Sequence, residues 1–276
     1  MSSFKNKVVL VTGGASGIGY LMGAKTLERG AKKLVIWDIN EDRLLKAAAT
    51  LTSQGHSVTT QLVDVSNADQ VLSASSEILE QEKSIDFLFN NAGIVVGKKF
   101  EHHSMAEIKK TMAINSAGLM YVARAFLPAM LTNDEGYIIN IASAAGLTPN
   151  PGMTVYAASK WAAVGWSESL KLELELSNKN IKILTVMPSY INTGMFAGVK
   201  APLLTPLLDP DRIAEKIISA VEHDKSRLRE PFMVKLTPFI RGVLPAKLYD
   251  FVAGKIFGVY DSMNTFLGRN QEQNER

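Results

Sequence analysis

The fold is decided by one short segment near the start of the chain, Val8-Val9-Leu10-Val11-Thr12-Gly13-Gly14-Ala15-Ser16-Gly17-Ile18-Gly19. Its first part is a short run of apolar residues, which is typical of a strand buried on both faces. Four glycines follow the strand within eight residues, and a helical pattern begins among them and runs from Gly17 to Gly30. A buried strand, a tight turn and a helix in this order predict the first unit of a parallel α/β sheet.

The alternation of strand and helix continues to Met187. The predicted strands are Lys7–Thr12, Lys33–Asp38, Ser57–Val63, Ile85–Asn90, Gly136–Ala142 and Ile181–Met187. The helices predicted after Gly17–Gly30 are Glu41–Gln54, Asn67–Glu82, Ser104–Thr132 and Val155–Ser177. This order predicts a doubly wound parallel sheet of the Rossmann type, with three α/β/α layers.

The alternation loosens after Met187, where the sequence becomes rich in proline, glycine and leucine. We expect a helical substrate lid over about residues 189–230, with a helix starting at Asp209-Pro210, and an apolar C-terminal extension over about 231–268. Phe232–Leu236 is predicted to be a further strand. No linker or repeat divides the chain, so residues 1–276 are predicted to form a single domain.

Composition excludes several classes of function. The chain has 276 residues, a net charge of +3 and no cysteine, so disulfides and cysteine–zinc sites are excluded, and nucleic acid is not an indicated partner. No metal-ligand spacing occurs, so we expect no metal. The apolar run Val8–Val11 is too short for a signal peptide, and no other stretch has the uninterrupted apolar length of a membrane span. A cytoplasmic location is therefore expected.

The glycine turn is a candidate phosphate site. Without side chains, backbone N–H groups can approach a pyrophosphate, and the positive end of the next helix faces it. The spacing, Gly-x-x-x-Gly-x-Gly, differs from the commoner dinucleotide pattern, and a turn needed only for geometry is the alternative. The residues predicted to touch the cofactor here are Gly13, Ser16, Gly17, Ile18 and Gly19.

Asp38 ends the second strand, where an acid accepts hydrogen bonds from the hydroxyls of the adenosine ribose and repels a 2′-phosphate. Neither Ile39 nor Ser16 offers a positive charge to such a phosphate, so NAD(H) is preferred over NADP(H). The next two strand ends supply further candidate contacts, which are Asp64, Val65, Asn91, Ala92 and Gly93.

A tyrosine and a lysine, Tyr156 and Lys160, lie one helical turn apart and leave the same face of a predicted helix. A nearby ammonium favours the ionised phenol and so lowers its pKa. A tyrosine tuned in this way can act as a general acid or base. The pair alone occurs often by chance, and a half-buried tyrosine beside an exposed lysine is the plainer interpretation.

Together, these segments resemble the short-chain dehydrogenase/reductase family over about residues 5–195. The resemblance rests on the segments Thr12–Gly19 and Asn90–Gly93, together with Asn115, Ser143, Tyr156 and Lys160. It implies that Tyr156 is the acid/base and that Lys160 lowers its pKa and binds the nicotinamide ribose. It also implies that Ser143 holds the substrate oxygen, that Asn115 serves the proton relay, and that the protein is a homodimer or homotetramer.

The segment after the sixth strand departs from the family, because Ser189 follows Pro188 where glycine is usual. Serine is strained at positive φ, so a backbone that bends this way would be strained at Ser189. Thr193 still matches the threonine that binds the carboxamide. Pro188, Ile191 and Thr193 are the contacts expected from this segment.

The substrate side is predicted to be apolar. Leucine and phenylalanine are frequent after Met187, and we expect Leu147, Met153 and Phe196 to line the pocket with Ser143 and Tyr156. Thr193-Gly194-Met195-Phe196 and the proline-interrupted C-terminal stretch resemble the retinol and hydroxysteroid dehydrogenase branch. Basic residues among the apolar ones suit either peripheral contact with a membrane or packing between subunits; they are Lys235, Arg241, Lys247 and Lys255.

The sequence therefore predicts an NAD(H)-dependent oxidoreductase that interconverts an alcohol and its ketone or aldehyde on a lipid-, retinoid- or steroid-like substrate. One alternative is a dinucleotide-binding sensor or scaffold without turnover. Another is an NADPH-dependent reductase of a smaller carbonyl or acyl substrate.

Overall fold

Seven parallel strands form one sheet at the centre of the computed structural model, which describes residues 1–268. The strands are β1 (Val8–Thr12), β2 (Lys33–Asp38), β3 (Val58–Leu62), β4 (Phe87–Asn90), β5 (Gly136–Ile141), β6 (Ile181–Pro188) and β7 (Arg227–Glu230). Their spatial order is β3-β2-β1-β4-β5-β6-β7. The order reverses between β1 and β4, and ligands bind at the carboxyl ends of such a reversal. The predicted doubly wound sheet is confirmed; the last eight residues of the predicted domain lie outside the described part.

Helices cover both faces of this sheet. They are α1 (Gly17–Glu28), α2 (Glu41–Ser53), α3 (Ala68–Glu82), α4 (Met105–Met112), α5 (Leu119–Asn133), α6 (Thr154–Leu176), α7 (Pro210–Glu222), α8 (Phe232–Val243) and α9 (Ala246–Phe251). One apolar core joins α1, α2 and α7 to the sheet, and a second core joins α3, α5 and α6 to its other face. Every residue of β1 is buried, as expected for a strand covered on both sides.

Helix starts follow ordinary capping rules. Asn40, Asn67 and Asp209 each accept a hydrogen bond from a backbone N–H in the first turn of α2, α3 and α7. Such caps supply acceptors to N–H groups that have no partner inside the helix. The predicted start at Asp209-Pro210 is therefore confirmed.

The predicted strand Phe232–Leu236 is wrong. The seventh strand comes earlier, at Arg227–Glu230, and pairs with β6 from Thr185 to Pro188. Pro231 lacks an N–H and ends the ladder, and α8 begins directly after it. The apolar residues of α8 lie on two faces of the helix. In the sequence they therefore form an apolar run like that of a strand buried on both faces.

The predicted lid of about residues 189–230 is too long. Helix α7 packs against α1 in the first core, and β7 joins the sheet, so both belong to the main layers. The segment that lies over the site is limited to about 189–209 and contains no helix.

Helices α4 and α5 form one continuous helical segment, Met105–Asn133, joined by a π-helical turn at Ala113–Gly118. Among residues 1–268, this segment alone is long and apolar enough to span a membrane, and half of its most apolar window is buried within the fold. Val122, Phe126 and Met130 pack against the sheet. Burial against the sheet is therefore sufficient to explain its apolar character.

Candidate active site

The turn after β1 is shaped by close backbone contacts. Gly13 and Gly17 have φ values of 60° and 57°, which L side chains rarely adopt. A Cβ atom added at Gly19 would lie 2.5 Å from Asn91 Nδ2 and would also collide with the carbonyl oxygen of Gly13. Asn91 Nδ2 donates to the carbonyls of Thr12 and Gly13, at 3.0 Å each. The turn thus forms a cradle without bulky side chains at the N-terminus of α1, which fits a dinucleotide pyrophosphate.

Asp38 ties this turn to the end of β2. One of its oxygens accepts from the backbone N–H of Ala15 at 3.1 Å, and the other accepts from that of Asn40 at 3.1 Å. Asp64, at the end of the next strand, accepts from both the backbone and the hydroxyl of Ser66. Both carboxylates are thereby held at the carboxyl edge of the sheet.

A cleft of about 310 Å³ runs along this edge. All of the predicted cofactor-binding residues line it, namely Gly13, Ser16, Gly17, Ile18, Gly19, Asp38, Ile39, Asp64, Val65, Asn91, Ala92, Gly93, Tyr156, Lys160, Pro188, Ile191 and Thr193. Arg43, in the first turn of α2, also lines the cleft. The sequence prediction did not include it, because Ser16 and Ile39 are the positions where a basic partner for a 2′-phosphate was expected. Ser189 has no positive φ, so the strain considered at this position is absent.

Asn115 lies within the π-helical turn and is fully buried. Its Oδ1 accepts from the Ile94 backbone N–H at 2.9 Å, and its Nδ2 donates to the Ile94 carbonyl at 2.9 Å and to Ser159 Oγ at 3.0 Å. It does not line the cleft. The structure therefore places Asn115 where it joins the segment after β4 to α6, beside Gly93, which also lies next to Lys160 Nζ.

Ser143, Tyr156 and Lys160 all line the cleft. Tyr156 and Lys160 are each 5% exposed, and Lys160 Nζ lies 5.7 Å from the centroid of the Tyr156 ring. The ammonium donates to the Ile141 carbonyl at 2.8 Å. The predicted pair is thus brought together, on one face of α6.

Burial changes the expected electrostatics of this pair. It raises the pKa of Tyr156 to about 12, although the neighbouring Ser143 hydroxyl acts in the opposite direction. Burial also lowers the pKa of Lys160 to about 8. Burial therefore opposes the lowered tyrosine pKa that the Tyr156–Lys160 spacing predicts, because moving the phenolate out of water acts against the nearby ammonium.

A second, apolar pocket adjoins the cleft at Ser143 and has a volume of about 110 Å³. Met153 and Phe196 line it as predicted, and Tyr156 packs edge-on against Phe196, with ring centroids 6.1 Å apart. Leu147 was predicted to line it but lies outside, because its side chain packs in a separate cluster with Leu119 and Val164. The C-terminal extension supplies much of the remaining wall through α8 and α9.

Comparison with known proteins bears directly on this site. A family model described as short chain dehydrogenase matches residues 7–203, which include the glycine turn, Ser143, Tyr156 and Lys160. This protein belongs to the short-chain dehydrogenase family.

Curated relatives of this short-chain dehydrogenase match almost the whole chain. It is 33% identical over 270 residues to epidermal retinol dehydrogenase 2 of Mus musculus, covering 96% of this chain and 87% of the relative. It is 30% identical over 262 residues to estradiol 17-beta-dehydrogenase 11 of Macaca fascicularis, covering 95% and 87% respectively. The predicted resemblance to the retinol and hydroxysteroid branch is confirmed.

Solved structures agree on the fold. A short-chain dehydrogenase/reductase from Burkholderia phymatum in complex with NAD has a TM-score of 0.80 and 26% identity, covering 88% of this chain and 95% of that one. A metagenomic short-chain oxidoreductase in complex with NADP has a TM-score of 0.71 and 27% identity, covering 84% and 100%. This short-chain dehydrogenase is therefore an oxidoreductase of the nicotinamide-dinucleotide class.

Proposed function

We propose that this protein is an NAD(H)-dependent oxidoreductase that interconverts a hydrophobic alcohol and its ketone or aldehyde. The observation that carries the proposal is that Ser143 lies where the dinucleotide cleft meets the apolar pocket, with Tyr156 and Lys160 beside it in the cleft. A screen of long-chain alcohols, sterols and retinoids with NAD and NADP, followed by the absorbance of the reduced cofactor, tests it. Absence of turnover across the screen would favour a sensor or scaffold.

The residues divide the chemistry among them. A nicotinamide dinucleotide held in the cleft would supply the chemistry of hydride transfer. Tyr156, protonated at neutral pH, donates its proton to the oxygen of a carbonyl substrate, and the Ser143 hydroxyl holds that oxygen in place. The Lys160 ammonium stabilises the phenolate that results. In the direction of alcohol oxidation, the same groups act in reverse.

Asp38 supports the preference for NAD, since a carboxylate at the end of β2 would repel a 2′-phosphate on the adenosine ribose. We expect kcat/KM with NAD to exceed that with NADP by about tenfold or more, the effect of roughly 1.4 kcal/mol of repulsion. Asp38→Ser should lower the ratio of kcat/KM with NAD to that with NADP, whereas Asp42→Ser in the first turn of α2 should leave this ratio unchanged. An equal or better rate with NADP in the unaltered protein would contradict the preference.

Arg43 favours NADP(H) as the cofactor. It lines the same part of the cleft as Asp38 and Ile39, and a guanidinium there can bind a phosphate. A reductase of a smaller carbonyl or acyl substrate that uses NADPH is therefore the second candidate. Arg43→Gln should weaken NADPH binding specifically if this candidate holds.

We further propose that residues 1–276 act as a single domain that assembles as a homodimer or homotetramer in the cytoplasm and touches a membrane peripherally. Helix α8 supports the membrane contact, because it is apolar on two faces. Met233, Thr237 and Ile240 line the pocket, while Phe232, Phe239 and Val243 are 63%, 70% and 63% exposed.

The exposed stripe of α8 recurs at helical spacing and has exposed lysines and an arginine around it, as in helices that bind anionic lipid surfaces. We expect the full chain to co-sediment with phosphatidylserine vesicles and the variant Phe239→Ser/Val243→Ser to bind roughly tenfold less. Leu176→Ser, which removes an even more exposed apolar residue from the end of α6, is the control. If the double variant instead abolishes self-association, the stripe is a subunit contact.

A further inference from the structure

Two hydroxyl groups face each other in the wall of the apolar pocket. Thr148 Oγ1 and the Tyr249 hydroxyl are 2.5 Å apart, and either can be the donor. Thr148 follows the loop that carries Ser143, whereas Tyr249 belongs to α9 in the C-terminal extension and is 7% exposed. Both line the pocket, and neither lines the dinucleotide cleft. The pair thus lies away from the reacting end.

The pair differs from the other hydroxyls of the pocket in the number of hydroxyl protons that already have an acceptor. Thr205 donates to the Pro202 carbonyl at 2.9 Å, and Thr237 donates to the Met233 carbonyl at 3.1 Å. The Tyr190 hydroxyl is bonded to Ser262 Oγ and Asn150 Nδ2, both at 2.8 Å. Each of these hydroxyls therefore already has protein partners.

Two further hydroxyls, those of Ser143 and Ser189, line the dinucleotide cleft as well and belong to the catalytic end. Thr148 and Tyr249 together carry two protons, and their mutual hydrogen bond uses one of them. Within residues 1–268, neither hydroxyl has another hydrogen-bond partner. One hydroxyl proton of the pair therefore remains without a hydrogen-bond acceptor among the described residues of the pocket wall.

We propose that this hydroxyl pair binds a second oxygen atom of the substrate, remote from the carbon that is oxidised or reduced. The inference rests on the proposed function, since it takes the apolar pocket to be the substrate site. A buried donor without an acceptor is unfavourable, and apolar walls offer a water molecule few partners. A carbonyl, ether or hydroxyl oxygen on the ligand would accept the remaining proton. The substrate class is then an apolar compound that carries oxygen at two separated positions.

The test compares long-chain α,ω-alkanediols with 1-alkanols of the same length. Dissociation constants are measured by equilibrium dialysis with NADH present, so that no alcohol is oxidised. We expect the unaltered protein to prefer the diol at the chain length that spans the two ends. Thr148→Val/Tyr249→Phe should reduce that preference roughly tenfold, the worth of one good hydrogen bond, while affinity for the alkanol stays nearly constant.

Thr237→Val is the matched control, because it removes a hydroxyl of the same pocket whose proton is already bonded. Its diol preference should equal that of the unaltered protein. The single variant Tyr249→Phe, which keeps the ring, should lose part of the preference and serves if the double variant does not fold. Because turnover is not the readout, failure of the proposed oxidoreductase activity would leave this result intact.

Two outcomes would overturn the inference. One is an unaltered protein with no diol preference at any length, which would mean that the pair binds only an ordered water. The other is a preference that survives removal of both hydroxyls.

Discussion

Tyr156→Phe is expected to lower kcat by about 10³-fold or more while NADH binding stays within a few-fold of normal. Tyr156 lines the cleft between the glycine turn and the apolar pocket, and its hydroxyl is the proton donor proposed there. Phenylalanine keeps the edge-on packing against Phe196 and removes only the hydroxyl. Steady-state rates and a separate titration of NADH fluorescence measure the two effects.

Tyr137→Phe is the matched control for this substitution. Tyr137 is a buried tyrosine of β5 whose hydroxyl donates to the Lys225 carbonyl at 2.8 Å, and it does not line the cleft. Its loss should cost about 1 kcal/mol of stability and leave kcat near normal. Near-normal turnover by the Tyr156 variant would remove this residue from the mechanism.

Lys160→Met is expected to abolish most of the activity and yet stabilise the protein in the absence of cofactor. Burial lowers the pKa of Lys160 from 10.5 to about 8. Keeping the charged ammonium buried at neutral pH therefore lowers the free energy of unfolding by about 3 kcal/mol. Methionine fills similar space without charge but loses the hydrogen bond to Ile141. A net gain of about 1–2 kcal/mol, or about 2–8 °C in Tm, should remain.

The pH dependence of that gain follows from the direction of the shift. Below about pH 8, Lys160 is charged in both the folded and the unfolded state, and the destabilisation is complete. Between about pH 8 and pH 10.5, the unfolded state binds the extra proton, so stability of the unaltered protein rises. The advantage of methionine should therefore be largest at neutral pH and fade toward pH 10.5. Lys171→Met, at a more exposed position of α6, should show no such trend.

A Tm for the Lys160 variant that is lower than normal at pH 7 would show that the ammonium is adequately compensated by its surroundings. Retained activity would contradict the role proposed for Lys160, because no other described residue in the cleft wall next to Tyr156 carries a buried positive charge.

The glycine turn and the cleft were predictable because each contact there depends on local chemistry. A glycine at positive φ, an acid at a strand end and a tyrosine one turn before a lysine can each be read from neighbouring residues. The position of the Asp38 carboxylate is fixed both by the end of β2 and by its hydrogen bond to the glycine turn.

What could not be predicted depends on contacts between distant parts of the chain. Whether Phe232–Leu236 is strand or helix is decided by the pocket that α8 covers, and local preference does not decide it. Leu147 faces a cluster formed by α5 and α6 because of how its loop turns after Ser143. The pKa of Tyr156 depends on total burial, which no four-residue spacing reveals.

The π-helical turn at Ala113–Gly118 has a consequence for insertions and deletions. Such a turn contains one residue more than a regular turn, and each residue of an α-helix advances about 100°. Deleting one residue here would restore regular geometry and rotate Asn115 relative to Phe126 by about that angle. Either Asn115 would then lose its contacts with Ile94 and Ser159, or Phe126 would lose its packing against the sheet. Natural length variation is therefore expected to avoid this turn and to accumulate in surface loops instead.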